Sequence, residues 1–247
     1  MKTKVATLIL FGCIGLTAQP AFETASIRVD NQADRPGFPT AQTTPGNLIM
    51  RNQALVYLIQ WAYDVPRVEI DGPPWLREVW FDVQAKAATP ATETQMRVML
   101  QKLLQDRFGL KLHKETRVLQ GYAITLVKGG PKFEAESAPG DFALERSSPV
   151  VLIAHHARVA DLGQGIADEL GQPVTDATGL PGRYEIRLNL APYIARAGDP
   201  GGNPGQLDMM GILFTGLQEE LGLKLEARKS PVDVLVIDHV EKMPTEN

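Results

Sequence analysis

Cysteine is nearly absent from this 247-residue chain: its single copy, Cys13, lies in the leading segment. A domain that begins after it contains no disulfide and none of the thiolate sets of structural zinc sites. Histidine is scarce too, with His113, His155, His156 and His239 and no His-Glu-x-x-His pair among them. His155 and His156 adjoin on an expected strand, so they point to opposite faces and do not share a metal within it. No serine sits in a Gly-x-Ser-x-Gly elbow, and the glycine-rich stretch 198–205 lacks the spacing and the lysine of a phosphate loop. After the leading segment no apolar run is long enough to span a bilayer. A net charge of −4, a pI near 5.6 and interspersed charges of both signs exclude the basic surface that nucleic acid requires. These absences imply a chain with no catalytic apparatus, no metal site and no cofactor.

The leading segment is distinctive. Lys2 and Lys4 precede an apolar run of about 14 residues that ends at Thr17-Ala18-Gln19-Pro20, the layout of a cleavable secretory signal. We expect residues 1–18 to be removed after Ala18, with Ala21 as second choice. The mature protein is then expected in the periplasm or secreted, with no transmembrane span. Leu10-Phe11-Gly12-Cys13 resembles a lipoprotein box that would acylate Cys13, but bulky Phe11 and the short run before it oppose that reading.

Turn formers without apolar periodicity mark linkers at 31–46, 129–148 and 196–205. Around the middle one a pattern occurs twice. Residues 96–112 laid on 209–225, an offset of 113, are identical at eight of seventeen positions, including Leu104-Gln105 and Gly109-Leu110-Lys111-Leu112. Leu58, Gln60 and Asp64 likewise meet Leu162, Gln164 and Asp168. Such a period is too long for a solenoid and implies a duplicated small domain. The expected layout is a signal at 1–18, an N-terminal strand and linker at 19–46, a first repeat at 47–130, a linker at 131–148 and a second repeat at 149–247.

Each copy reads β-α-β-β-α-β-β. In the first, Leu55, Leu58, Ile59 and Ala62 line one face of a helix over 54–63, and Phe81 and Val83 alternate inward on a strand over 80–85. Thr92 and Gln95 form a capping box for a helix over 93–108, which Gly109 ends. Strands 110–117 and 121–128 then make a hairpin, repeated at 223–227 and 232–240. The last strand, 232–240, is expected to be central in its sheet. Residues 22–30 form a strand outside the repeat, added to a sheet edge. The fold class expected is α+β, two tandem domains with helices on mixed sheets.

Several segments resemble a soil-associated bacterial family of unknown function, numerous in acidobacteria. They are Phe22-Glu23-Thr24-Ala25-Ser26-Ile27-Arg28, Gly72-Pro73-Pro74-Trp75-Leu76, the run 104–117, Pro173-Val174 with 176–184, and the closing 234–242. That resemblance implies no activity. Each repeat also resembles the short N-terminal domain of secretins and TonB-dependent receptors, which implies contact with other envelope proteins.

The remaining polar cluster is Asp176, Thr178 and Arg183 beside Gly179 and Gly182, where turn-building competes with ligand binding. Trp75, after Pro73-Pro74, is read either as a lid on the first core or as an interface anchor. Two functions follow as expectations. One is an exported, non-enzymatic module that binds another envelope protein through sheet edges and loops. The other is a small-ligand sensor or binding protein with its site between the halves, near Trp75, Asp176, Thr178 and Arg183.

Overall fold

The structure, a computed structural model, describes residues 20–30, 40–136, 140, 142–148, 150–197 and 208–245. The expectations for the signal peptide, its cleavage and Cys13, and for most of the 196–205 linker, lie outside the described residues.

Among the described residues five helices with mixed and antiparallel sheets make the fold α+β. The first half runs β1 (Thr24–Val29), β2 (Thr40–Thr44), β3 (Asn47–Ala54), α1 (Leu55–Tyr63), β4 (Ile70–Asp71), β5 (Trp80–Lys86), α2 (Glu93–Phe108) and β6 (Lys111–Leu126). The second runs β7 (Glu134–Ala135), β8 (Ala143–Ser148), β9 (Val151–Ala157), α3 (Val159–Leu170), β10 (Val174–Asp176), β11 (Tyr184–Asn189), α4 (Ala191–Ala197), α5 (Met209–Leu221) and β12 (Leu223–His239).

Local chemistry accounts for the helix boundaries. Thr92 Oγ1 accepts from the Gln95 N–H at 3.3 Å, and Gln95 Oε1 accepts from the Thr92 N–H at 2.9 Å, satisfying two donors that the first turn leaves over. At the other end of α2 Gly109 turns left-handed at φ 59, as Gly222 does after α5 at φ 68. Helix α1 ends at Asp64, itself left-handed at φ 55, before Pro66 is reached.

Two sheets share one plan. The first has the order β1-β5-β3-β2, the second β7-β11-β9-β8, antiparallel throughout. Met50 lies opposite Val83 and Gln53 opposite Phe81, with a register shift between them; Ala154 and Ala157 meet Ile186 and Tyr184 in the same way. The shift is carried by Asn52 (φ 54) in one sheet and His156 (φ 49) in the other, so even the bulge recurs. Residues 22–30 do add an edge strand, β1.

The expected hairpins are not formed. Instead β6 and β12 are each continuous, and they pair antiparallel with one another from Lys111–His239 to Leu126–Leu223. Gly121, Lys229 and Pro231, which look like interruptions, lie inside these strands. Pro231 faces Val118 at the middle of the ribbon, where no third strand needs its missing N–H. The β4 strand joins β12 at Leu235–Val236 and β10 joins β6 at 122–124, both parallel, giving a third sheet in the order β10-β6-β12-β4. Within 232–239, Leu235 and Val236 thus lie between two strands, as expected of a central strand, while the remaining described pairs of this stretch are with β6 alone. The linkers also need correction: 31–46 contains β2, 131–148 contains β7 and β8, and the start of 196–205 lies in α4.

Each half has its own core. In the first, Phe81 meets Phe108 edge-on at 5.1 Å beside Leu58, Leu100 and Leu104; in the second, Leu162, Ile166, Ile186, Leu217 and Leu223 pack together. The ribbon serves both, since Leu112 and Ile237 pack on the first core and Ile124 and Leu225 on the second.

Candidate functional site

Strand β2 ends the first sheet, and all five of its residues are exposed. It is Thr-Ala-Gln-Thr-Thr, rich in β-branched residues and free of charge and proline. One row of its backbone donors and acceptors is used by β3, while the other faces away from the sheet. Exposed edges are ordinarily blunted by charge, proline or shortness. The strand in the same place in the second sheet, β8, carries Glu145 and Arg146. A two-residue connection fixes β2 rigidly: Thr44 pairs with Asn47 across Pro45 and Gly46, and Gly46 has φ 82. Asn47 Nδ2 donates to Thr44 Oγ1 at 3.2 Å, and Gln53 Nε2 to the Thr40 carbonyl at 3.1 Å, holding both ends. The β-branched run bounded by Pro-Gly was a readable strand signal, overlooked because the surrounding 31–46 is rich in turn formers.

The residues singled out from the sequence do not form one site. Trp75 sits in a 3-10 turn, Pro74–Arg77, and packs half-buried on the first core. Asp176 and Thr178 build a turn in the second half. Asp176 Oδ1 accepts from the Thr178 N–H at 2.9 Å and its hydroxyl at 2.7 Å, and Thr178 Oγ1 accepts from the Leu180 N–H at 3.2 Å. Gly179 and Gly182, at φ 70 and 100, complete the reversal. Arg183 donates to the His156 carbonyl at 2.6 Å and so closes the bulge.

Between the halves, α1 faces α3 through the residues that the repeat matches. Gln60 donates to Asp168 at 2.5 Å, and Gln164 donates to the Asp64 carbonyl at 3.2 Å. Asp168 also accepts the Arg67 N–H at 2.8 Å and lies 3.3 Å from its Nε, while Arg67 stacks over the Tyr57 ring at 4.8 Å. Beside them burial, with the charges of Asp233 and Asp168, pushes the Glu69 carboxyl up to about 7. The two adjacent histidines part: His155 meets Glu185 at 2.8 Å, a contact that raises its pKa, and His156 meets Glu136 at 3.0 Å. Among the described residues no three His, Cys, Asp or Glu gather to hold a metal ion, and no helix is long and apolar enough to cross a membrane.

With this geometry in hand, comparison with known families is informative. A family described as a protein of unknown function, DUF3738, matches residues 56–240. The chain belongs to that family. The match takes in the second core, most of the first and the whole β6–β12 ribbon, and begins after β3. Comparison with curated proteins and with solved structures found no match to either.

Proposed function

We propose that this family member is an exported, non-enzymatic envelope protein, a rigid pair of duplicated modules that binds a partner protein by accepting its strand onto β2. The observation that carries the reading is this edge, which among the described residues pairs with β3 alone: five exposed, uncharged, proline-free residues held in register at both ends. Strand addition draws affinity from main-chain hydrogen bonds, and the alternating side chains supply specificity. The signal-like leader supports export, and the shared strand order of the two sheets supports duplication.

A photo-crosslinking residue at Thr43, in the protein expressed in its native envelope, tests this. A discrete protein adduct is expected, lost when Ala41→Pro removes a donor and stiffens the edge. Absence of an adduct, or one unchanged by Ala41→Pro in a folded variant, overturns the reading.

A further inference from the structure

We infer that the second half holds a binding site for an apolar aromatic molecule of indole size, in a cavity bounded by β9, β11, α3 and the start of α5. The cavity measures about 380 Å³, within the range of small-molecule sites. It is independent of the β2 edge, which lies in the other half.

The two halves explain why it exists and what fits it. Helices α1 and α3 begin at Leu55 and Val159, so the counterpart of Trp61 is Gly165. By sheet register the counterpart of Met50 is Ala154, since these face Val83 and Ile186. By the alignment of α2 with α5 the counterpart of Arg97 is Met210. In the first half Trp61 packs on the core, Met50 is buried, and the Arg97 guanidinium lies 4.9 Å above the Trp61 ring. In the second, Gly165, Ala154 and Met210 all line the cavity. A Cβ added at Gly165 would meet nothing within 4 Å. Space that the first half fills with its own indole and a thioether therefore stands open in the second.

Nothing in the packing requires glycine at exposed Gly165, and inside a helix such a residue costs about 1 kcal/mol relative to alanine. The walls are apolar, chiefly Leu152, Leu162, Ile166, Leu188 and Leu213. At the mouth Met209 and Met210 are 48% and 41% exposed, flexible thioethers suited to covering an aromatic ring. Among the described lining residues the charged ones are Asp161 and Glu169, and Asp161 is engaged with Arg158 and with the helix start.

The test uses the protein with methyl-labelled methionine, titrated with indole. Saturable shifts of the Met209 and Met210 methyls are expected, those of Met50, Met96 and Met99 staying in place. Gly165→Trp, which restores the first half's side chain, should abolish the shifts without lowering Tm. If that variant does not fold, Ala154→Met provides the same occlusion from the sheet side. No shift at millimolar indole, or binding that survives a folded occluding variant, overturns the assignment.

Discussion

Glu69 illustrates how one residue ties the halves to pH. It lies in the 3-10 turn that carries Arg67 to Asp168, where burial and the carboxylates Asp233 and Asp168 raise its pKa to about 7. An unfolded chain releases this proton near the ordinary glutamate value, about 4.3. Between that pH and about 7 the folded state therefore binds more protons than the unfolded one, and this group's contribution to stability falls as pH rises. Glu69→Gln should thus be more stable than the parent above pH 7, by about 1 to 2 kcal/mol after allowing for solvent screening. The difference should shrink as pH falls toward 4, and paired urea titrations at the two extremes check both its sign and its window. In the second half the His155 pKa is raised because Glu185 accepts from it, with Glu145 adding less. Glu185→Gln should move the His155 titration, followed by NMR, down toward the ordinary value. Neither environment was legible in the sequence. Glu69 is 164 positions from Asp233, and only the pairing of β4 with β12 brings their neighbourhoods together.

Secondary-structure elements show which signals suffice. Helix α2 was legible to the residue, since Thr92, Gln95 and Gly109 specify its ends by local hydrogen bonding alone. Thr92→Ala should cost about 1 kcal/mol, read as a lower urea midpoint at unchanged slope. Strands β2, β7 and β8 went unread because short, polar edge strands lack the apolar alternation on which periodicity depends. The long strands failed differently. A hairpin strand was expected to start at Gly121, yet this residue lies within continuous β6 against the chain before β10, and an added Cβ would overlap the Pro173 carbonyl oxygen. Gly121→Ala should accordingly lower Tm, whereas alanine at Gly165, which meets open space in a helix, should raise it. Opposite shifts for the same substitution at two strand and helix positions separate a glycine kept for close approach from one that packing does not require. The candidate site was legible only in part: Asp176 and Thr178 do bond to one another, but as the internal wiring of a turn, while Arg183 is spent separately on closing a bulge.

At the scale of the whole molecule, the ribbon changes what the proposed duplication means. Val118 lies opposite Pro231, and 113 positions separate them, the offset that aligns the two repeats. The ribbon is therefore centred on an approximate two-fold axis, as an interface between two identical subunits would be. The parallel additions obey the same symmetry, with Ile70 opposite Leu235 and Val174 opposite Tyr122. So do the reciprocal contacts from Gln60 to Asp168 and from Gln164 to Asp64. Neither half completes its core alone, because Ile237 packs on the first and Ile124 on the second. A fragment of residues 20–129 should consequently not persist as a folded monomer but should pair with a second copy through β6, Val118 meeting Val118. Sedimentation equilibrium should show a dimer whose Tm rises with concentration. Val118→Lys should dissociate and unfold that fragment by setting like charges across the axis. In the full chain the same lysine faces Pro231 at a position 70% exposed and should change stability little. A folded monomeric fragment, or equal sensitivity of both proteins to Val118→Lys, would show that each half is self-sufficient and that the ribbon only ties finished domains together.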